Sequence, residues 1–367
     1  MGGVIWSSPR ADALGTAVAA ALLPNDDDVP HLVPFAEAAL QADVRAFATP
    51  LLPLFSFMQS VPWFVSRMLL DMAGGADPPL PGAPPPLQTA CEMLSADGST
   101  KFAARIYEPQ HLAGGKSAPL VFFVHGGGWC MGSLAMYVPQ CRALANELGY
   151  RVLAVTYRLA PESQYPAAAL DVLAAYKYVA AHGADFGLDE TMPQIIIAGD
   201  SAGGQLTLEL GLRVRDTAGL TQPVLLAPIY PAVNMRGGET ASWVRFGKSF
   251  GLQAHGAHDM LRAYLGATPE LRSKHASNAY LNADLRTDFA GVAPMVLMTA
   301  EFDILGDEGR EFVKTANARG ADVEHIFAKG HLHGALAGFS KVPSAVKLLK
   351  ELCARIKARV EGGGSKK

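Results

Sequence analysis

The chain has 367 residues, of which half are hydrophobic and 18% charged, and its formal net charge is -3. That composition lies far from disorder and supplies enough apolar surface for a large core without help from metals or disulfides. With no cluster of Lys and Arg to neutralise phosphates, nucleic acid is excluded as a partner, and a neutral or apolar small-molecule substrate is expected.

From the N-terminus, Ala13–Leu23 is an apolar run without a basic leader or cleavage site, so it does not read as a signal peptide. Gly2 is followed by Trp6 where myristoylation needs Ser or Thr. Residues 51–70 have the length of a membrane helix, but Pro53, Gln59, Pro62 and Arg67 interrupt it. It reads instead as a helical cap whose Phe55, Phe57, Met58, Trp63, Phe64 and Met68 line an acyl pocket or pack on the core, with transient contact to a lipid interface as a third use. The Pro/Gly-rich stretch Ala73–Pro86 is the best linker. Cys91, Cys130, Cys141 and Cys353 are widely spread, so neither a zinc site nor a redox motif is expected, and the default compartment is the reducing cytoplasm.

Beyond the linker, apolar runs at 120–124, 151–156, 194–198, 224–227, 294–299 and 323–327 read as buried strands. Helical periodicity separates them near 137–148, 166–182, 203–217, 306–319 and 341–358, a βα alternation that means a mostly parallel sheet with helices on both faces. Residues 235–275, with Trp243, Phe246, Phe250 and Tyr264, break the alternation and read as a second part of the cap. The expected organisation is an N-terminal extension over 1–86, a catalytic domain over 87–360 with a cap insertion at about 235–275, and a tail over 361–367.

The strand at 194–198 runs into Gly199-Asp200-Ser201-Ala202-Gly203-Gly204 and then a helix, the strand–turn–helix setting in which G-x-S-x-G exposes a nucleophilic serine. The strand at 120–124 ends in His125-Gly126-Gly127-Gly128-Trp129, whose backbone N–H groups are free to face an oxyanion. No Lys-Ser/Thr follows these glycines, which argues against a phosphate loop. A serine needs a base and an orienting carboxylate. Asp303 with its neighbours Glu301, Asp307 and Glu308 follows one late strand, and His331 and His333 follow another; spacing leaves these choices open.

The sequence resembles the hormone-sensitive-lipase family of α/β-hydrolases over about residues 85–355, on His125–Trp129, Gly199–Gly204 and Tyr157-Arg158-Leu159-Ala160-Pro161-Glu162. His125–Cys130 is also similar to the arylacetamide deacetylase branch. The resemblance implies the α/β-hydrolase fold with a helical cap, and a serine carboxylesterase with Ser201, Asp303 and His333 as triad. It also implies Gly127, Gly128 and Ala202 as oxyanion donors, and no cofactor or metal. Acyl transfer on the same triad is the near alternative, and a non-hydrolytic receptor or lyase the far one. Trp129, Trp63, Phe64, Trp243 and Phe246 are the expected pocket residues. Ile304, Ala335 and Leu281-Asn282 depart from the family pattern, which bears on substrate shape. Arg158 and Glu162 are expected to pair and brace the loop, and His125 to hold the glycines by hydrogen bonding.

Overall fold

The protein is described by a computed structural model over residues 40–51, 63, 65–67, 86–236, 240–248, 251–336 and 341–362. The apolar run at 13–23, most of the linker, the tail, and Phe55, Phe57, Met58, Phe64, Met68 and Phe250 lie outside these residues.

A short helix α1 (Ala42–Ala48) precedes a hairpin of β1 (Leu87–Leu94) and β2 (Lys101–Glu108). Then come β3 (Leu120–Val124), α2 (Val138–Leu148), β4 (Arg151–Val155), α3 (Ala167–Ala181), β5 (Ile195–Asp200), α4 (Ala202–Arg215) and β6 (Leu225–Ile229). Three helices follow without an intervening strand, α5 (Ala241–Phe246), α6 (Ala254–Leu265) and α7 (Pro269–Ser273). The chain closes with β7 (Met295–Phe302), α8 (Gly306–Ala318), β8 (Val323–Leu332) and α9 (Pro343–Gly362).

The eight strands form one sheet in the order β1-β2-β4-β3-β5-β6-β7-β8. β1 and β2 pair antiparallel, as do β2 and β4, and every later pairing is parallel. The sequences LVFFV, RVLAV and LLAPI have no buried–exposed alternation because every position of β3, β4 and β6 is buried. Helices therefore cover both faces, as continuous apolar runs require. This is the α/β-hydrolase fold, and the core strands fall where the apolar runs put them. Among the described residues no helix is long and apolar enough to cross a membrane.

Two differences from expectation have a common cause. The β1–β2 hairpin carries no long apolar run, since β1 exposes most of its residues, and the signals it does carry are the alternation of Phe102 and Ala104 and the Asp97-Gly98 turn. β8 likewise runs on through Lys329-Gly330-His331 to Leu332, residues that read as a loop. Both β1 and β8 are sheet edges, where half-exposed strands lose the burial signature that marks central ones.

The serine turn depends on a close approach of backbones. A Cβ on Gly203 would stand 2.1 Å from the Val124 carbonyl oxygen and 2.6 Å from that of His125, so the start of α4 is pressed against the end of β3. Gly203→Ala is expected to destabilise the fold by at least about 2 kcal/mol, since the obstructing atoms are backbone and cannot rotate away; urea unfolding at unchanged m-value measures it.

Candidate active site

Ser201 stands between β5 and α4 with φ 54° and ψ -118°, a conformation that L-residues adopt only when their surroundings enforce it. Its N–H donates to the Ile229 carbonyl of β6 at 2.8 Å, and its carbonyl accepts from Gln205 N–H at 3.0 Å. Pinned at both ends, the residue projects its hydroxyl above the C-terminal edge of the sheet.

Two further strand ends supply its partners. β7 and β8 are paired with a register shift that sets Phe302 opposite Leu332, so the residues that follow, Asp303 and His333, emerge side by side. Ser201 Oγ lies 2.9 Å from His333 Nε2, and His333 Nδ1 lies 2.8 Å from Asp303 Oδ2. With Nδ1–H donating to the Asp303 carboxylate, Nε2 is left to accept a hydrogen bond from the Ser201 hydroxyl. Asp303 is 1% exposed and its Oδ1 accepts from Leu305 N–H, which fixes the carboxylate plane. Burial by itself lowers the basicity of His333; the charge and hydrogen bond of Asp303 and the field of Asp200 outweigh it, and the imidazole pKa rises above its ordinary value.

The competing acids and histidine are engaged elsewhere. Glu301 accepts from Gly330 N–H across the register shift, and Asp307 accepts from Ser242 N–H. Glu308 accepts from Val233 and Asn234 N–H, and burial pushes its carboxyl up to about 8. His331 turns Nδ1 to the Lys329 carbonyl at 2.9 Å.

The glycine loop is held by a carboxylate that the sequence reading did not single out. Asp200 is buried beneath it, Oδ1 accepting from Gly126 N–H and Oδ2 from the Tyr137 hydroxyl, which itself accepts from Gly126 N–H. Burial raises the Asp200 pKa to about 6 against the stabilising pull of those bonds and of His333. The neighbouring motif letter in Gly-Asp-Ser was the available signal. His125 bonds Gly126 O through Nδ1 and stacks on Tyr157, whose hydroxyl donates to the His125 carbonyl, so its expected bracing role matches the contacts.

Gly127 and Gly128 hold φ of 111° and 60°. A Cβ on Gly127 would meet the Met131 carbonyl at 2.3 Å, so this position needs glycine for both conformation and space; at Gly128 the neighbour is the movable Met260 side chain, and the positive φ is what favours glycine. Gly127, Gly128 and Ala202 line the same cavity as Ser201 and His333.

Arg158 and Glu162 do not pair with each other. Arg158 forms a two-pronged bridge to the buried Asp171 and a third bond to Asp97, whereas Glu162 takes Arg67. The guanidinium of Arg67, a residue that read as an interruption of an apolar run, also donates to the carbonyls of Cys130 and Ala160 at 2.7 Å each. A residue from the N-terminal extension thus clamps the shoulder of the glycine loop, a contact over 63 residues that no local pattern announces.

The cavity over the serine has a volume of about 260 Å³ and is largely apolar. Trp129 and Trp243 line it, as expected, joined by Phe47, Met131, Met235 and Met260, which the sequence reading did not assign to it. Trp129 is fixed by stacking on Tyr264 and by an Nε1–H bond to Gln205. Trp63 does not reach the cavity but packs against the core, and Phe246 packs edge-on against Phe302; large aromatics near a site are as useful to its walls as to its lumen. Among the described residues no group of three or more His, Cys, Asp or Glu could hold a metal ion.

A sheet of this topology, with a serine, an aspartate and a histidine at the C-terminal ends of β5, β7 and β8, defines the α/β-hydrolase class of enzymes. The family profile described as the α/β hydrolase fold matches residues 121–337, and the chain belongs to that family, in its hormone-sensitive-lipase-like branch. The carboxylic ester hydrolase LipN of Mycobacterium tuberculosis is 31% identical over 287 residues, covering 77% of this chain and 73% of the relative. The carboxylesterase NlhH of the same organism is 31% identical over 265 residues, covering 72% and 80%. Among solved structures, an ester hydrolase from the metagenome of Lake Arreo, complexed with a bipyridine phosphonate derivative, superposes with a TM-score of 0.77 at 26% identity, covering 88% of this chain and 99% of that one. The Pyrobaculum calidifontis esterase superposes at 0.72 with 28% identity, covering 84% and 98%. The protein is an enzyme of the carboxylesterase class.

Arg67→Ala leaves the Cys130 and Ala160 carbonyls without their donor; Glu162 is 63% exposed, so its loss adds little. A loss of about 1–2 kcal/mol in unfolding free energy is expected, with turnover reduced several-fold, and Arg67→Lys should recover part of both.

Proposed function

We propose that the chain hydrolyses neutral, apolar carboxylic esters through an acyl-enzyme on Ser201. The observation that carries this reading is the continuous hydrogen-bonded relay from Ser201 to His333 to Asp303, opening on an apolar cavity walled on one side by the glycine loop.

Ser201 Oγ attacks the ester carbonyl carbon as its proton passes to His333 Nε2. Charge builds on the carbonyl oxygen and is met by the N–H groups of Gly127, Gly128 and Ala202, donors of a kind worth about 3–4 kcal/mol each. Asp303 stabilises the imidazolium and keeps its tautomer. The tetrahedral adduct collapses, the C–O bond to the alcohol breaks, and His333 returns its proton to the departing oxygen. Water, deprotonated by His333, then attacks the acyl-serine, and the acid leaves with Ser201 regenerated. No cofactor enters the cycle.

The helices α5–α7 and the segment around α1 and Arg67 serve as the cap, presenting Trp243, Met260 and Phe47 to the substrate, on a catalytic domain spanning 87–360. A cavity of about 260 Å³ lies at the small end of ligand pockets, which favours short acyl chains.

Ser201→Ala should abolish turnover of p-nitrophenyl butyrate with the melting curve unchanged, and a fluorophosphonate should add one equivalent to Ser201 by intact mass; persistent turnover or an unlabelled serine overturns the reading. Activity across p-nitrophenyl esters should peak at short chains, roughly two to six carbons. Because His333 must be neutral to act as base and its pKa is raised, the acid limb of kcat/KM should lie above pH 6.5. Asp303→Asn removes the raising partner, so the limb should move to lower pH while kcat falls roughly 10⁴-fold.

A further inference from the structure

Helix α4 is buried at every position from Ala202 to Leu212, yet Gln205 and Glu209, each 1% exposed, follow Ser201 at successive helical turns on one face. Polar side chains buried this deeply persist where their hydrogen bonds are met. The indole Nε1–H of Trp129 donates to Gln205 Oε1 at 3.1 Å. An indole only donates, so the amide must turn its oxygen to the ring, and its NH2 group then donates to Glu209 Oε2 at 2.9 Å. Glu209 is anchored in turn by two bonds from the Arg213 guanidinium and one from the Tyr165 hydroxyl. At the other end of this stripe, the Gln205 backbone N–H donates to the Ser201 carbonyl at 3.0 Å.

Trp129 needs such an anchor. Gly127, Gly128 and Trp129 have φ of 111°, 60° and 59° in succession, and the third is a bulky L-residue in a region that such residues avoid. Strain of this kind persists where the surroundings over-determine it, and it gathers where position matters. The Trp129 carbonyl accepts from Ala160 N–H, its ring stacks on Tyr264, and its indole N–H is held by Gln205. Of these three contacts, the last alone ties the glycine loop to the helix that carries the serine.

We propose that Gln205 is a positioning residue for the reaction: its amide holds Trp129, and with it the N–H groups of Gly127 and Gly128, at a fixed distance from Ser201. This rests on the esterase reading above and adds to it the group that sets the loop against the nucleophile. Gln205 does not line the cavity and does not touch the substrate. Its effect falls where charge develops on the carbonyl oxygen, in the transition state rather than in substrate binding.

The test separates kcat from KM for p-nitrophenyl butyrate in Gln205→Leu, Trp129→Phe and the double variant. Trp129→Phe keeps an aromatic ring against Tyr264 and deletes the donor. Gln205→Leu should lower kcat about tenfold with KM held within about twofold, the pattern of displaced anion donors, and Trp129→Phe should lose kcat to the same extent. The double variant should be no worse than either single one, because both remove the same bond. A trifluoromethyl ketone, which forms an oxyanion adduct with the serine, should bind each variant about tenfold more weakly, while the affinity of the matching methyl ketone stays unchanged. An unchanged kcat in Gln205→Leu, losses that multiply in the double variant, or weakening of both ketones alike overturns the proposal. Should Gln205→Leu fail to fold, the ketone pair in Trp129→Phe decides alone, and an unchanged affinity for the trifluoromethyl ketone overturns it. Absence of turnover in the unaltered protein sinks the esterase reading and this proposal with it, whereas turnover there with unaltered kcat in the variants sinks the proposal alone.

Discussion

Everything at the active edge of this molecule depends on the strained backbone of Ser201. A serine at φ 54° and ψ -118° stores about 1–3 kcal/mol of conformational strain, and it persists because both of its flanks are fixed. Before it, β5 is locked into the centre of a buried parallel sheet between β3 and β6; after it, α4 is driven so close to the end of β3 that Gly199 and Gly203 have no room for a Cβ. The same close approach brings the glycine loop to the serine, because the loop is the continuation of β3. Ser201 and the glycine loop are neighbours through one packing constraint rather than two separate ones.

Three buried carboxylates around the site show how environment assigns roles. Asp303 meets His333 and gives the relay its direction. Asp200, one residue before the serine, meets backbone N–H and the Tyr137 hydroxyl instead, and its work is to hold the loop. Glu308 braces the turn after β6 through the Val233 and Asn234 N–H groups, a turn whose Ala232, Asn234 and Met235 line the cavity, and its burial is deep enough to push its carboxyl up to about 8. Chemically alike groups within one site thus divide into a partner for His333 and two struts, by the identity of the donors each one finds.

The N-terminal extension is tied to the site more closely than its separation in sequence suggests. Arg67 caps carbonyls of the glycine-loop shoulder, Gln41 joins the end of β8, and Phe47 enters the cavity. The cavity wall is therefore assembled from both ends of the chain, and the segment that read as a cap is bonded to the shoulder of the glycine loop and to the end of β8.

The sequence by itself determined the chemistry and the central sheet. Gly-Asp-Ser-Ala-Gly after an apolar run and the bare glycines after another carry their meaning locally, because sharp turns and exposed N–H groups need those residues whatever surrounds them. Resemblance then selected Asp303 over Glu301 and His333 over His331. Tertiary structure decided what depends on register and distance. The β7–β8 shift puts Asp303 beside His333, Arg158 turns to Asp171 rather than Glu162, and Trp63 and Phe246 pack against the core while Phe47 and Met260 line the cavity. Ion pairs and pocket walls join residues far apart in the sequence, Arg67 with Glu162 and Phe47 with Val342 among them, and a periodicity of 2 or 3.6 says which face of an element is apolar but not what that face will meet.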